Sequence, residues 1–267
     1  MRRSTSLKVM TLLAAAFAAQ AQTGPVVNNG GVVEAAGGIS PVAPGALVSI
    51  FGTSLAAGLA QADTIPLSTS LGNVSVTFNG IPAPLLFVST GQVNAQLPWN
   101  VLSSGTVGTA SLVVTSGGRP SPAVSVPVGP FSPGIFAINK QAVAINSDGS
   151  IAAPPNSIPG ITTRPAKIGD AGGLVILCTG LGAVDPPVTT GNNALDGKLH
   201  TATTMPTVLV DGKAVPVLFA GMSPQFVGVN QINVSLPAGT TAGNTVSLQI
   251  QVGGVVTSAQ VTIAVSQ

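Results

Sequence analysis

Val76-Thr77-Phe78-Asn79-Gly80 begins a sequence pattern that this chain contains twice. The first copy continues with Pro84-Leu85-Leu86-Phe87 and Gln92-Val93-Asn94-Ala95-Gln96-Leu97-Pro98. The second copy reads Val208-Leu209-Val210-Asp211-Gly212, Pro216-Val217-Leu218-Phe219 and Gln231-Ile232-Asn233-Val234-Ser235-Leu236-Pro237. A repeat of roughly 120 residues has the size of a domain and is far longer than a solenoid period. The duplication therefore predicts two homologous domains.

Both copies carry the signal of a β-hairpin. Val74, Val76 and Phe78 alternate with polar residues and lead into Asn79-Gly80, and the second copy has Asp211-Gly212 at the same place. A type I′ turn needs positive φ at both central residues, which Asn, Asp and Gly tolerate. Two different dipeptides that suit the same turn type therefore predict a hairpin at the same place in each copy.

The rest of the pattern is also that of short strands. Val93, Ala95 and Leu97 are predicted to face one side of a strand, with Gln92, Asn94 and Gln96 on the other, and Ile232, Val234 and Leu236 repeat the apolar face. Further predicted strands are residues 111–115, 123–128, 247–252 and 259–265, with Gly117-Gly118 and Gly253-Gly254 between them. Strands of this length and spacing predict an all-β, antiparallel sandwich.

The first residues have the features of a secretory signal peptide. Arg2, Arg3 and Lys8 precede an apolar run over 9–18, and Ala19-Gln20-Ala21 is a cleavage site. The run is shorter than a membrane-spanning helix. We expect cleavage after Ala21, export to the periplasm, cell surface or medium, and no membrane span in the mature chain.

Removal of residues 1–21 changes the charge balance. Six Lys and Arg then face seven Asp and Glu, where the whole chain has nine and seven. The six cations are scattered singly, and a nucleic-acid surface needs a dense basic face. We therefore expect no nucleic-acid partner. Charged residues are only 6% of the chain, so little repulsion opposes self-association, which is possible.

Several strings together resemble a known family. They are Pro44-Gly45, Ile50-Phe51-Gly52, Gln92-Val93-Asn94, Leu97-Pro98-Trp99, Pro133-Gly134-Ile135-Phe136 and Asn146-Ser147-Asp148-Gly149-Ser150. In this order they resemble the Solibacter-type C-terminal domain family of secreted bacterial proteins, which is similar to the IPT/TIG branch of immunoglobulin-like folds. The resemblance covers nearly the whole mature chain and departs from the family pattern at Cys178. The family has no established activity and no catalytic residues, so the resemblance implies a fold and a compartment.

The expected organisation combines the repeat with this resemblance. Residues 1–21 form the signal peptide, and 22–130 the first immunoglobulin-like sandwich. Residues 131–165 form a connector with a hairpin at Asn146 to Ser150, associated with the second unit, and 166–267 the second sandwich. The connector carries Pro154, Pro155, Pro159 and Pro165 without the composition of a flexible tether. It is therefore expected to be ordered but irregular.

Candidate catalytic residues are few. His200 is the only histidine, in a polar loop that also contains Asp196, and Asp185 lies nearby in sequence. These residues could surround a serine, but no Gly-x-Ser-x-Gly motif is present, and a solvated loop is the expected alternative. Cys178, aligned with Phe51 of the first copy, is expected to be a buried apolar residue, the alternative being a reactive thiol.

Binding motifs are equally sparse. One His and one Cys exclude the usual zinc sets, and no Asp-x-Asp-x-Asp loop for calcium is present. Asp148 is expected to form an Asx turn, and Gly180-Leu181-Gly182 lacks the third glycine of a dinucleotide fingerprint. We expect no metal site, no cofactor and no catalytic residue.

Aromatic residues, which make platforms for sugars, are 3% of the chain. Trp99, the only tryptophan, is expected either between the domains or exposed at the end of a sandwich. Phe78, Phe87 and Phe219 are expected in the core. The sequence thus predicts a non-catalytic structural, adhesive or interaction module whose partner is an unknown surface protein or polysaccharide. A carbohydrate-binding module is the alternative, and a hydrolase that uses the loop around His200 is the third possibility.

Overall fold

The computed structural model of the chain describes residues 24–257 and 261–267. The predicted signal peptide lies outside these residues, as does the start of the strand predicted at 259–265. Within the described ranges all regular structure is β-strand, so the all-β prediction is confirmed. No helix in them is long and apolar enough to cross a membrane.

We call residues 24–129 the first half. Its strands form two antiparallel sheets, ordered β1-β2-β8-β7-β3 and β10-β9-β5-β4, with β11 beside β9 and β6 beside β5. The strands are β1 (Val26–Glu34), β2 (Leu47–Thr53), β3 (Ala60–Gln61), β4 (Ser70–Leu71), β5 (Val74–Phe78), β6 (Ile81–Pro82), β7 (Leu85–Val88), β8 (Gln92–Gln96), β9 (Gly108–Ser116), β10 (Arg119–Pro120) and β11 (Val124–Val128).

We call the described residues from 130 onward the second half. Its strands form two further sheets, one around β19, β25 and β24 and one around β26, β22 and β28. The strands are β12 (Gly134–Ile135), β13 (Ala137–Ile138), β14 (Gln141–Ala142), β15 (Ala144–Asn146), β16 (Ile151–Ala152), β17 (Thr163–Arg164), β18 (Ala166–Lys167), β19 (Leu174–Thr179), β20 (Val184–Asp185), β21 (Thr201–Ala202), β22 (Thr207–Val210), β23 (Lys213–Val215), β24 (Val217–Met222), β25 (Asn230–Val234), β26 (Gly243–Val252), β27 (Val255–Val256) and β28 (Thr262–Ser266).

Each half encloses a core between its two sheets. In the first half Ile50 and Val93 of one sheet join Val76 and Leu112 of the other in a single buried cluster. In the second half a cluster of the same kind includes Ile176, Ile232, Val208 and Ile250. Alternating strands with one buried face produce this sandwich-like packing.

The strands that make these two cores occupy matching places in the two halves. Val76 on β5 pairs with Val114 on β9, and Val208 on β22 pairs with Ile250 on β26. A side-chain hydrogen bond is also shared by the two halves. Ser121 Oγ accepts a hydrogen bond from the Val114 amide, and Thr257 Oγ1 accepts one from the Ile250 amide. The duplication is therefore present in the strand register as well as in the sequence.

The register corrects one sequence alignment. Ile50 pairs with Val93, and Phe51 pairs with Gln92. In the second half Ile176 pairs with Ile232, and Leu177 pairs with Gln231. Phe51 therefore corresponds to Leu177, and Cys178 corresponds to Gly52. The alignment of Cys178 with Phe51 was wrong by one residue because the sequence alone does not show strand pairing.

The two predicted hairpin turns are confirmed. Phe78 pairs with Ile81 around Asn79-Gly80, whose φ angles are 51° and 77°. Val210 pairs with Lys213 around Asp211-Gly212, whose φ angles are 51° and 72°. Positive φ at both central residues is the requirement of a type I′ turn.

A valine at either turn glycine should destabilise its hairpin. We expect Gly80→Val and Gly212→Val each to lower the free energy of unfolding by about 1 to 3 kcal/mol, because a β-branched side chain is strained at positive φ. Denaturant unfolding followed by circular dichroism measures the loss. Asp211→Asn is the matched control, since Asn occupies the same place in the first hairpin. An unchanged midpoint in either valine variant would contradict the turn assignment there.

Residues 131–165 contribute strands to the sheets of the second half. Strands β12 and β15 both pair with β19, in the place that β1 takes beside β2 in the first half. The hairpin predicted at Asn146 to Ser150 joins β15 to β16, with Gly149 at φ 84°. Between β16 and β17 the chain has no regular structure.

Candidate functional site

His200 lies in a cleft of about 340 Å³ that Pro187, Asn192, Asn193 and Asp196 also line. It precedes the short strand β21, and its backbone carbonyl accepts the Met222 amide at 2.9 Å. Residues 195–199 of the loop are exposed, as expected of a solvated loop, whereas His200 itself is buried with only 3% of the residue exposed. The loop folds back over the ring, an arrangement for which the local sequence carries no signal.

Both nitrogens of the His200 ring have partners. Nδ1 lies 2.6 Å from the Pro186 carbonyl oxygen, and Nε2 lies 2.9 Å from Asp196 Oδ1. A carbonyl and a carboxylate only accept hydrogen bonds, so both nitrogens donate only in the imidazolium form. Burial lowers the pKa of His200, but the bonds to Pro186 and Asp196 outweigh it and raise the pKa above its ordinary value.

We expect the proton on His200 to stabilise the fold. The folded pKa is raised, so this stabilisation is complete below the unfolded pKa of about 6.5 and is lost as pH rises through the folded pKa. NMR titration of this single histidine should give a pKa above 6.5. Asp196→Asn should lower the pKa, whereas Asp185→Asn, at an exposed position, should leave it unchanged. A wild-type pKa at or below 6.5 would exclude the two bonds.

The residues proposed for a catalytic triad are only partly brought together. Asp196 bonds His200, and that bond lowers the pKa of the Asp196 carboxyl, while Asp185 is exposed on β20. A histidine that serves as general base needs an unprotonated nitrogen facing a serine hydroxyl. Both His200 nitrogens face other acceptors, so the two bonds tie the ring to Pro186 and to its own loop.

Cys178 is fully buried at the end of β19. Burial raises the pKa of its thiol strongly, and the nearby charge of Glu34 raises it further. A thiol with a raised pKa is a poor nucleophile. The expected role as a buried apolar residue is therefore confirmed.

Two motifs that resemble ligand sites are structural. Asp148 Oδ1 accepts the Ser150 amide at 3.0 Å, so the predicted Asx turn is confirmed. The bond from Arg164 lowers the pKa of the Asp148 carboxyl. Gly180 and Gly182 lie against backbone carbonyls of Ser132 and Pro130, so no space remains there for a phosphate. Among the described residues no three His, Cys, Asp or Glu side chains are grouped to hold a metal.

The two halves are joined by buried hydrogen bonds that sequence reasoning missed. We call this contact the joint. Thr179 Oγ1 accepts the Leu47 amide at 3.0 Å and donates to the Gly228 carbonyl at 2.8 Å. Thr179 is fully buried, which excludes water as a substitute partner. One threonine of the second half thus satisfies a backbone donor of the first.

Gln96 makes the second link of the joint. Its Nε2 donates to the Gly45 carbonyl at 3.1 Å, and its Oε1 accepts the Gly191 amide at 2.6 Å. The predicted alternation along β8 is correct, but the side expected to be polar is covered here by the loop that contains Gly191, and Gln96 is fully buried. In the sequence, the contact is marked only by the position of Gln96 at the end of an alternating strand, just before Leu97-Pro98.

Trp99 fills the space beside these bonds. Its ring covers Gly45 and packs against a small cluster of Val184, Val188 and Met222 from the second half. The position between the halves is confirmed. Phe78 is fully buried as predicted, whereas Phe87 and Phe219 are half-buried, so the expectation that all three lie in the core was partly wrong.

Glu34, the only glutamate of the chain, is also buried at the joint. Its carboxylate accepts the amides of Ala36 and Gly37 and lies against Gly134 of the second half. Burial raises the pKa of Glu34, and the amides partly offset this effect. The carboxylate therefore closes the turn that follows its own strand.

No protein-family model and no curated protein matches the sequence. Among solved structures, the chain is similar to the full extracellular region of Plexin A4, domains 1 to 8. The sequence identity is 12%, 94% of this chain and 19% of that chain are covered, and the TM-score is 0.28. A second Plexin A4 structure, domains 1 to 10, gives 12% identity, 85% and 22% coverage and a TM-score of 0.22. The chain spans less than a quarter of the length of either structure.

Proposed function

We propose that the mature chain is an exported, non-catalytic interaction module of two tandem immunoglobulin-like sandwiches that act as one rigid body. The observation that carries this proposal is the joint, where the buried side chains of Gln96 and Thr179 make hydrogen bonds between the halves. A buried polar group without its partner is costly, so such a joint favours one fixed arrangement. A fixed arrangement of two sandwiches presents loops from both to a partner at constant spacing.

The site chemistry supports binding over catalysis in this proposal. His200 and Glu34 form hydrogen bonds with neighbouring groups of the chain, and the Cys178 thiol is buried. Exposed apolar side chains, including Leu195, Leu199, Leu218 and Phe226, lie in the second half. Large apolar side chains at the surface are frequent in interaction surfaces. The partner we propose is a protein or polysaccharide at the cell surface, in line with the family resemblance.

Binding to the producing cell tests this function. Fluorescently labelled protein of residues 22–267 should bind saturably to cells that lack the gene, and unlabelled protein should displace it. The same preparation should show no turnover of ester, peptide and glycoside substrates. Turnover that Asp196→Asn or His200→Ala abolishes in a folded protein would overturn the proposal, and so would the absence of saturable binding. Mass spectrometry should find Gln22 as the first residue of the exported protein.

A further inference from the structure

A second pocket of the second half, of about 280 Å³, lies on the outer face of the sheet that contains β24 and β25. We call it the sheet-face pocket. Phe219, Gln231 and Asn233 line it from these two strands, and Lys198 and Leu199 line it from the loop that precedes β21. One aromatic ring, two amides and one ammonium group therefore meet in a single pocket.

The Phe219 ring leans along its strand. Gly221 is the next residue on the same face of β24, and a Cβ added to it would lie 2.7 Å from Phe219 Cζ. The tip of the ring therefore occupies the space that a side chain at position 221 would fill. Phe219 is only half-buried in this position. A half-buried ring in a pocket offers apolar surface against which a ligand can pack.

Two side-chain amides lie beside this ring on the neighbouring strand. Asn233 pairs with Phe219, and Gln231 pairs with Gly221. Gln231 Nε2 donates to Asn233 Oδ1 at 3.1 Å, which fixes the orientation of both amides. Within residues 24–257 and 261–267 these two side chains make no other hydrogen bond. The Gln231 oxygen can therefore accept a hydrogen bond from a ligand, and Asn233 Nδ2 can donate one.

The strands beneath the sheet-face pocket have a partner on each side. Strand β24 lies between β25 and β21, and β25 lies between β19 and β24. A peptide that binds by adding a strand needs an unpaired edge. The pocket therefore recognises its ligand through side chains. A pyranose sugar matches this set, because it has an apolar ring face and hydroxyl groups that both donate and accept hydrogen bonds.

Lys198 gives the pocket a positive charge. The residue is exposed, and none of the salt bridges among the described residues involves it. Asp196, its acidic neighbour in the loop, accepts hydrogen bonds from the His200 ring and from the Lys198 backbone amide. The Lys198 ammonium can therefore pair with an anionic ligand. Charge complementarity thus favours a sugar that carries a carboxylate.

We propose that the sheet-face pocket binds one uronic acid residue of an acidic polysaccharide. This inference rests on the proposed function and gives the chemistry of its partner. The sugar ring packs on Phe219, and its hydroxyls form hydrogen bonds with Gln231 and Asn233. The sugar carboxylate pairs with Lys198. Leu199, whose exposed fraction is 74%, adds apolar contact from the loop.

The first half supplies a matched control, because it has the same ring and amide pair without the cation. Phe87 pairs with Asn94, and Gln92 Nε2 donates to Asn94 Oδ1 at 2.7 Å. Arg119 is the only Lys or Arg of the first half, and it lies on β10 in the other sheet. The proposed site is therefore specific to the second half.

The test titrates trisaccharides into the isotope-labelled mature chain and follows the protein by NMR. The acidic probes are trigalacturonate, trimannuronate and triglucuronate, and their neutral counterparts are galactotriose, mannotriose and cellotriose. At least one acidic probe should shift the signals of Phe219, Gln231 and Asn233 saturably. Its neutral counterpart should bind about threefold more weakly, because an ion pair at an exposed lysine contributes modestly.

Three variants assign the roles of the side chains. Phe219→Ala should weaken binding of the acidic probe about tenfold in a protein with unchanged circular dichroism, because the apolar contact with the sugar ring is lost. Lys198→Gln should remove the preference for the acidic over the neutral trisaccharide. Phe87→Ala removes the ring at the same register position of the first half and should leave binding unchanged.

Several results would overturn the inference. They are no saturable shift with any trisaccharide, shifts confined to the first half, equal weakening by Phe87→Ala and Phe219→Ala, and an unchanged acid preference in Lys198→Gln. The cell-binding experiment separates the two proposals. If the wild-type protein binds cells but no trisaccharide, the pocket inference fails while the interaction module stands. If it binds a trisaccharide but not cells, the proposed function fails while the pocket inference stands.

Discussion

Replacing Gly180 by serine should lower the free energy of unfolding by about 3 to 5 kcal/mol. Gly180 has φ 79°, and a Cβ added there would lie 1.9 Å from the backbone oxygen of Ser132. The variant therefore combines backbone strain with an overlap that no side-chain rotation relieves. Urea unfolding measures the loss, with Trp99 fluorescence reporting the joint and circular dichroism reporting the sheets.

Two control variants separate these contributions. Gly160 has φ 75° with nothing within 4 Å of an added Cβ, so Gly160→Ser should show only the strain, about 1 kcal/mol. Ser54 follows Thr53 as Gly180 follows Thr179, and these two threonines hold the same register position in the two halves. Ser54 has φ 53° and is exposed, so Ser54→Gly should change stability by less than about 1 kcal/mol. A Gly180→Ser loss no larger than that of Gly160→Ser would show that the Ser132 segment does not cover this site.

The parts of the fold that depend on residues close together in sequence were predictable. Asn79-Gly80 and Asp211-Gly212 specify their turns through backbone preference alone, and alternation along β5 and β8 specifies which side chains are buried. The position of Cys178 was misjudged by one residue because it depends on pairing with a strand far away in sequence. Strand pairing is a property of two segments together, and one segment does not contain it.

The candidate site was less predictable because its contacts are distant in sequence. Gln96 and Gly191 are 95 residues apart, and Leu47 and Thr179 are 132 apart. The local sequence of His200 is polar, which favours solvent, whereas the fold buries the ring beneath its own loop. Trp99 follows Leu97-Pro98 at the end of a strand, which left two positions open, exposed at the end of a sandwich or between the halves, and only the fold decides for the second.

The second large effect is expected at the joint. Thr179→Val keeps the shape of the side chain but removes the hydroxyl that serves the Leu47 amide and the Gly228 carbonyl. Both groups then remain buried without a partner, and we expect the free energy of unfolding to fall by about 2 to 4 kcal/mol. The strands of each half keep their own hydrogen bonds, so Trp99 fluorescence should change at lower urea concentration than circular dichroism.

Thr53→Val is the matched control for this variant. Thr53 pairs with Val26 as Thr179 pairs with Gly134, so it holds the same register position in the first half, and it is exposed. Its hydroxyl can bond to water, so the substitution should alter stability by less than about 0.5 kcal/mol. Equal losses for Thr179→Val and Thr53→Val would mean that water reaches the joint and that the halves are free to move. A loss confined to Thr179→Val would establish that the hydroxyl couples the two halves, which the rigid interaction module requires.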